Sequence, residues 1–258
     1  MHIAGIPAFE DNYIWLLTTS SNEHCAVVDP GDEDPVIETL ESQGLTLDAI
    51  LITHKHGDHV GGIEGLKQRW PNAVVYAPAN EAIRLKEVAV AEGDQIELKN
   101  LDVTFTVLDV PGHTEGHVAY VTDGSLFCGD TLFAGGCGRV FSGTFEQLSA
   151  SLLKLAKLPA ETKVYCAHEY TEANLGFAKW VEPNSAALAE RQQTVEDKRE
   201  ANQPTVPSVL KDELATNPFM RTQESVVIAA AEKWAGESLT SPAAVFRALR
   251  TWKDKDYD

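Results

Sequence analysis

The sequence has few basic residues. Lysine and arginine together number 21 against 39 aspartates and glutamates, which gives a formal charge of −18 over 258 residues. A surface this negative repels nucleic acids and anionic membranes. We therefore expect neither a polynucleotide nor a membrane as the partner.

The chain also lacks long apolar runs and a basic leader. No apolar stretch approaches the ~20 residues that a membrane-spanning helix needs. The segment Met1–Asn12 has no basic start and carries Glu10 and Asp11, so it does not look like a secretory signal. These absences predict a cytoplasmic protein without a membrane anchor.

Cysteine is scarce, with four residues and no CxxC pair. Most of the four lie in apolar, strand-like contexts, at Cys25, Cys128, Cys137 and Cys166. Thiols in such places are usually buried and reduced in a protein of the cytosol. We expect no disulfide.

The pattern of residues changes near position 172. Before it, short β-branched and apolar segments predict strands, as expected for sheets that are covered on both faces: Ile14–Thr18, Cys25–Asp29, Ala49–Thr53, Ala73–Ala77, Val103–Val110, His117–Thr122, Ser125–Gly129 and Lys163–Ala167. Helices are predicted between them at Asp34–Gln43, Ile63–Trp70, Asn80–Arg84 and Phe145–Leu158.

After residue 172 the pattern predicts helices alone. They are expected at Asn174–Val181, Ser185–Ala201, Gln223–Ala235 and Pro242–Lys253, the last with Ser241 as its N-cap. The prediction is an α/β domain over residues 1–172, followed by a smaller helical domain over residues 173–258.

One polar run stands directly after the buried-strand pattern of Ala49–Thr53. In Thr53–His59, three imidazoles and a carboxylate fall within a few residues. His54 and His56, two apart in extended chain, project to the same side, and Gly57 lets the backbone turn before Asp58 and His59. A polar surface loop is the ordinary alternative. Imidazole and carboxylate at this spacing are typical of a metal site.

Further candidate ligands end other predicted strands. Each alone has a common structural explanation as a turn, cap or hydrogen-bonded core residue. Together with the first run they supply six imidazoles and two carboxylates, enough for two metal ions that share one carboxylate. The additional candidates are His113 and His117 in one glycine-rich turn, Asp130, and His168.

These motifs, taken in order, resemble those of the metallo-β-lactamase superfamily. The matching pieces are T-H-x-H-x-D-H at 53–59, G-H-T-x-G-H at 112–117, G-D-T at 129–131 and A-H-E-Y at 167–170. Gly135–Arg139, Asn217–Arg221 and Phe246–Lys253 are similar to segments of its glyoxalase II family in particular. The resemblance implies an αββα four-layer sandwich followed by a smaller all-helical C-terminal domain.

The resemblance also sorts the ligands. It implies one metal on His54, His56 and His113, a second on Asp58, His59 and His168, and Asp130 as the bridge. His117 is then left as a structural neighbour of a ligand. Asp29 either orients a ligand histidine or caps a turn, and His2 and His24 have no ligand context.

The implied activity is hydrolysis of S-D-lactoylglutathione to glutathione and D-lactate, the second step of methylglyoxal detoxification. Two close divalent ions lower the pKa of a shared water, so that hydroxide is available at neutral pH. His54, His56, Asp58 and His59 are the expected catalytic residues. Asp58 either ligates or also accepts a proton. Zinc is the expected metal, with iron or manganese as alternatives.

The resemblance places the substrate's glycine carboxylate on Arg250 and Lys253, with Arg139 and Tyr170 as further contacts. Ordinary helix-end electrostatics would also favour basic residues there. Phe141 stands where some relatives have a tyrosine that contacts glutathione. Arg221 is expected to be an interdomain structural residue.

Other functions of the same fold are alternatives. A nuclease would need a basic phosphate-binding surface, and a persulfide dioxygenase uses a single iron and lacks the helical domain. A lactonase is chemically nearest, because ester and thioester carbonyls are similar. A non-catalytic metal-binding protein is the alternative outside enzymes. A monomer is expected.

Overall fold

The structure is a computed structural model that describes residues 1–19 and 23–258. The chain divides into two compact units. The first unit comprises Met1–Asp109 and Gly116–Gly129, and the second comprises Val110–Glu115 and Asp130–Asp258. Among the described residues, no helix has both the length and the apolarity needed to span a bilayer.

The first unit contains a mixed sheet of six strands in sequence order. Pairing is antiparallel from β1 to β3 and parallel from β3 to β6. The strands are β1 His2–Ala8, β2 Asn12–Thr18, β3 His24–Val28, β4 Thr46–Leu51, β5 Val74–Pro78 and β6 Val88–Val90. Their apolar side chains make the inner strands almost wholly buried, as the sequence pattern predicts.

Three helices belong to this unit: α1 Asp34–Gln43, α2 Gly57–Val60 and α3 Ile63–Arg69. Val36 and Leu40 of α1 and Leu66 of α3 join the apolar side chains of the sheet in one core cluster. A proline in the first turn begins α1, and Gly44 ends it in the left-handed conformation at φ 66°. The sequence prediction for α1 is confirmed at both ends.

The first unit also carries four antiparallel strands in a meander: β7 Gln95–Leu98, β8 Val103–Asp109, β9 Val118–Thr122 and β10 Ser125–Gly129. The sequence analysis did not predict β1, β6 or β7, whose exposed positions weaken the apolar pattern. The helix expected at Asn80–Arg84 is wrong, because that segment forms a turn and irregular chain.

The second unit is mainly helical after residue 170. Its elements are β11 Leu132–Phe133, β12 Gly136–Cys137, α4 Phe145–Leu155, β13 Lys163–Cys166, α5 Thr171–Val181, α6 Ala186–Glu200, β14 Ser208–Val209, α7 Leu210–Thr216, α8 Ser225–Ala235 and α9 Pro242–Trp252. The Ser241 side chain caps α9 by accepting from the backbone N–H of Ala244, as predicted. The expectation of no strand beyond residue 172 is wrong at β14, which pairs with β13.

A buried polar network ties the helices of the second unit to its loops. Glu213, wholly buried, accepts hydrogen bonds from Arg191, Gly135 N–H and the Asn217 side chain. A buried charge is tolerated when its acceptor sites are filled in this way. The network therefore holds the loop before β12 against α7.

The four cysteines are all buried and none forms a disulfide. Burial raises the pKa of Cys25 to about 12, and the nearby Asp48 acts in the same direction. Burial also raises the pKa of Cys166 to about 12. Buried thiols with a raised pKa are unreactive at neutral pH.

Candidate metal centre

The first ligand pair follows β4, where the chain leaves the sheet. The His54 Nε2 and His56 Nδ1 atoms lie 3.0 Å apart. His54 is fully buried, and its Nδ1 lies 3.1 Å from the Thr53 hydroxyl oxygen. The predicted convergence of these two side chains in extended chain is therefore present.

The second pair of the first unit lies on α2. The Asp58 Oδ2 and His59 Nε2 atoms are 3.5 Å apart. Asn12, at the start of β2, donates from Nδ2 to Asp58 Oδ2 at 3.2 Å and to the Asp58 carbonyl oxygen at 3.4 Å. Sequence analysis missed Asn12, because a lone asparagine that begins a strand has no ligand spacing to mark it.

The structure requires glycine at a different position from the one that the sequence analysis proposed. Gly57 begins a helix without a positive φ, and a Cβ there would meet nothing within 4 Å. A Cβ on Gly31 would instead lie 2.0 Å from the Asp58 carbonyl oxygen. The explanation from Gly57 is therefore wrong, and close backbone approach makes Gly31 the constrained position.

Asp29 contacts His59, a candidate ligand. Its carboxylate accepts from the Thr53 backbone N–H at 2.7 Å and from the Thr53 hydroxyl at 2.7 Å, and it lies 3.0 Å from His59 Nδ1. Asp29 has a positive φ of 52°, uncommon for a residue with a side chain. Of the two alternatives for Asp29, the structure favours orientation, since this contact leaves His59 Nε2 facing Asp58.

His117 packs beside the first pair. Its ring stacks on that of His54, with centroids 4.6 Å apart, and its Nδ1 lies 3.0 Å from the Val118 carbonyl oxygen. Gly129, at φ 48°, leaves room for this ring, because a Cβ there would lie 2.9 Å from His117 Nε2. The expected structural role for His117 fits these contacts.

In the second unit, one carboxylate lies between two imidazoles. The Asp130 Oδ2 atom is 3.4 Å from His113 Nε2, and Asp130 Oδ1 is 3.4 Å from His168 Nε2. All three side chains are buried. Asp130 therefore presents one carboxylate oxygen to each of two candidate ligand histidines.

Neighbouring groups orient these imidazoles. His113 Nδ1 lies 2.8 Å from the Arg139 carbonyl oxygen, which leaves Nε2 facing Asp130. The Tyr170 ring stacks on His168 with centroids 4.8 Å apart. Gly138 is required here, since a Cβ would stand 2.0 Å from the Asp130 carbonyl oxygen and 2.9 Å from His113 Nδ1.

Three basic residues of the second unit form a cationic cluster: Arg139, Arg250 and Lys253. Arg250, in the last turn of α9, is almost wholly buried and donates from Nη1 to the Cys137 carbonyl oxygen at 3.1 Å. Lys253 follows α9 directly and is also buried. Arg139, Arg250 and Lys253 each contact the Asp258 carboxylate, so the structure brings together the three cations that the resemblance predicts.

The sequence analysis also singled out Phe141 and Arg221, and assigned neither of them to a ligand role. Phe141 is exposed, and its ring meets His113 edge-on with centroids 5.2 Å apart. Arg221 donates to both oxygens of Glu182 at 3.0 and 2.9 Å and to the Leu214 carbonyl oxygen at 3.3 Å. These hydrogen bonds favour the structural role expected for Arg221, and all three lie within residues 173–258.

The donor atoms suit divalent metal ions. Imidazole nitrogens and carboxylate oxygens are the ligands that zinc, iron and manganese take in proteins, and these side chains are among those able to hold an ion. Within each unit they are buried or half-buried, with ligand histidines oriented by Asp29 or by a carbonyl oxygen. The residues present therefore fit the metals that the resemblance implies.

The class of protein follows from sequence and fold together. Residues 8–168 match the metallo-beta-lactamase superfamily. The fold is similar to that of BLEG-1 B3 metallo-beta-lactamase, with a TM-score of 0.64 and 21% sequence identity over 85% of this chain and 99% of that one. The chain has the metallo-β-lactamase fold and lies within that superfamily.

The family within the superfamily is defined by the rest of the chain. Residues 169–256 match the hydroxyacylglutathione hydrolase C-terminus. A hydroxyacylglutathione hydrolase of Alkalilimnicola ehrlichii is 54% identical over 253 residues, 98% of each chain. One of Pseudomonas fluorescens is 51% identical over 256 residues, 99% of each chain. The chain belongs to the hydroxyacylglutathione hydrolase family, which confirms the predicted fold class.

Proposed function

We propose that this protein hydrolyses S-(2-hydroxyacyl)glutathione thioesters. The substrate is S-D-lactoylglutathione, and the products are glutathione and D-lactate, as in the second step of methylglyoxal detoxification. The observation that carries this proposal is similarity over the whole chain to hydroxyacylglutathione hydrolases, including the C-terminal segment. The ligand pairs of each unit support it independently.

The proposed ligand set has seven side chains and two metal ions. His54, His56 and His113 would hold the first ion, Asp58, His59 and His168 would hold the second, and Asp130 would be shared by both. In the first unit the four ligands already form the pairs His54 with His56 and Asp58 with His59. The position of Asp130 between two imidazoles supports its bridging role. Zinc is the proposed metal, with iron or manganese as alternatives.

When bound, two such ions act as Lewis acids toward the thioester carbonyl and make hydroxide available at neutral pH. The chain's own residues hold the ligands in place. Asp29 fixes the ring of His59, and Asn12 binds one oxygen of Asp58, the carboxylate that we assign to catalysis with His54, His56 and His59. The leaving thiolate, with a reference pKa of ~8.5, departs without a general acid.

Substrate carboxylates need a basic pocket on a protein of formal charge −18. We assign this role to Arg139, Arg250 and Lys253, with Tyr170 as a further contact. Burial lowers the pKa of Lys253, and the charge of Arg250 acts in the same direction, while Asp258 opposes both. Phe141 has no hydroxyl group. It therefore cannot form the hydrogen bond to glutathione that a tyrosine at this position could form in some relatives.

The remaining proposals concern organisation and place. We assign catalysis to residues 1–172 and glutathione binding to residues 173–258, in accord with family matches that meet at residues 168 and 169. Four buried cysteines without a disulfide suit the reducing cytoplasm. We also propose that the protein is a monomer.

Paired assays test the function. The metal-loaded protein is assayed with lactoylglutathione, a simple lactone and a β-lactam, and its metal content is measured in the same preparation. The expected result is about two ions per chain and a thioester rate far above both other rates. A lactone rate above the thioester rate would make the protein a lactonase.

A further inference from the structure

The cations assigned to the substrate carboxylate already bind a carboxylate of the chain itself. Asp258 accepts a hydrogen bond from Arg250 Nη2 at 3.0 Å and one from Arg139 Nη2 at 3.2 Å. Its other oxygen accepts from Lys253 Nζ. One side chain therefore contacts all three cations of the cluster.

These contacts cover the two innermost cations. Only 2% of the Arg250 side chain and 6% of the Lys253 side chain are exposed, against 16% for Asp258. Asp254 occupies further donors of Arg250, since it accepts hydrogen bonds from Nε at 3.1 Å and from Nη2 at 2.8 Å. An incoming carboxylate therefore has to displace an acid before it reaches these donors.

The segment that carries Asp258 has its own anchors. Lys253–Tyr257 forms a π-helical turn, and the Tyr257 hydroxyl sits where Gly176 of α5 has no side chain, 2.0 Å from a Cβ built there. The Tyr257 ring also meets Trp180 edge-on at 5.0 Å. Asp256 accepts a hydrogen bond from Trp234 Nε1 at 2.7 Å. These contacts hold Asp258 beside the cluster, which raises its effective concentration there.

Asp258 is charged in this position. Burial acts to raise its pKa, but hydrogen bonding to Lys253 and the charges of Lys253, Arg250 and Arg139 outweigh burial, so the pKa lies below its ordinary value. At neutral pH it is therefore an anion, as a substrate carboxylate is.

We propose that Asp258 is an internal ligand of the carboxylate subsite, which the glycine carboxylate of glutathione must displace in order to bind. This inference rests on the proposed function. A protein whose subsite is open only part of the time binds its ligand more weakly, in proportion to the open fraction. Asp258 thereby sets the affinity for the thioester without touching the reacting atoms.

The test is glutathione binding by calorimetry to the metal-loaded, full-length protein. Asp258→Asn keeps the size of the side chain and removes its charge. The matched control is Asp256→Asn, which removes an equal charge two residues away and keeps an acceptor for Trp234. We expect Asp258→Asn to bind glutathione about 3- to 10-fold more tightly, as for a subsite that is mostly closed, and Asp256→Asn to match the parent. Equal or weaker binding by Asp258→Asn would overturn the proposal.

A second ligand separates displacement from a general change of charge. Glutathione esterified at its glycine carboxylate lacks the group that competes with Asp258. Its affinity is expected to be the same for parent and Asp258→Asn, and an equal gain for ester and acid would refute competition at the subsite. Tyr257→Ala, which removes the anchor at Gly176, is expected to tighten glutathione binding in the same direction; unchanged binding would contradict the anchoring step.

Hydrolysis of lactoylglutathione by the same preparations keeps the two proposals apart. If the parent hydrolyses the thioester but Asp258→Asn binds glutathione no better, only the internal ligand is wrong. If no variant hydrolyses it but the binding difference is present, only the proposed reaction is wrong. If no variant binds glutathione and none hydrolyses the thioester, both are wrong.

Discussion

The two units supply the proposed ligands in different ways. In the first unit, four proposed ligands follow one strand within a single short run, from His54 to His59. In the second, His113, Asp130 and His168 come from three separate segments, and Asp130 stands between the other two. Local chain geometry positions the first set, whereas folding of a long stretch positions the second. The first set should therefore tolerate loss of one member better than the second tolerates loss of its central carboxylate.

The largest effect is expected for Asp130→Ala. If Asp130 bridges, its removal weakens the binding of both ions, so metal content should fall toward zero and thioester hydrolysis should be lost. Metal analysis by mass spectrometry and the thioester assay measure both quantities. Retention of one full equivalent of metal would show that Asp130 does not bridge.

His54→Ala should lower metal content by about one ion and reduce kcat by more than the ~100-fold that loss of a hydrogen-bonded neighbour causes. His24→Ala is the control, because His24 pairs with Asp48 and belongs to neither group of side chains able to hold an ion. Full activity in His54→Ala would refute the site. Equal metal loss in His54→Ala and Asp130→Ala would remove the contrast between the units.

Asp29→Asn tests the support of a ligand within the first unit. The amide keeps the shape but loses the charge that faces His59 Nδ1 at 3.0 Å. We expect a 10- to 100-fold loss in metal affinity or activity, the usual range for such partners. Metal affinity measured by competition with a chelator should show it, and an unchanged affinity would leave Asp29 with only a turn-forming role.

Arg250→Ala should raise KM for glutathione thioesters about 10-fold or more, since a hydrogen bond to a charged group is worth ~1.5–3 kcal/mol. The value of kcat should change comparatively little, because Arg250 is assigned to binding. A melting curve serves as the control for folding, as Arg250 is buried. A collapse of kcat at unchanged KM would contradict the assignment.

The smallest effect concerns the buried thiols, for which we expect no difference between the two units. Burial raises the pKa of Cys25 in the first unit and of Cys166 in the second to about 12. Both should therefore resist iodoacetamide at pH 8 in the folded protein and react once it is unfolded. Mass spectrometry after alkylation gives the extent of modification, and rapid labelling of either thiol would show that it is not buried in solution.

Much of the fold was predictable, and the errors have physical causes. The buried strands and the helices α1 and α9 follow from apolar periodicity and from capping residues. The strand β1 alternates buried and exposed positions weakly, so its pattern does not stand out. The segment Asn80–Arg84 has helical composition, but Glu81 instead accepts a hydrogen bond from Gly116 N–H.

The ligand candidates were also predictable, whereas their partners were not. His54 and His56 share a side because side chains in extended chain alternate in direction. Neither alternative for Asp29 was favoured by spacing, and Asn12 was missed, because each contacts a ligand far away in sequence. Asp258 was missed because an acidic residue in so acidic a sequence suggests ordinary surface charge. Only the structure shows that it contacts Arg139, which is distant in sequence.

The sequence alone determined the kinds of donor, the local spacing of the first ligands and the order of sheet-rich and helical segments, because these depend on residue chemistry and short-range backbone geometry. Only the tertiary structure decided which acid contacts His59 and which acid covers Arg250. Those contacts join residues distant along the chain, and their geometry exists only once packing has brought the segments together.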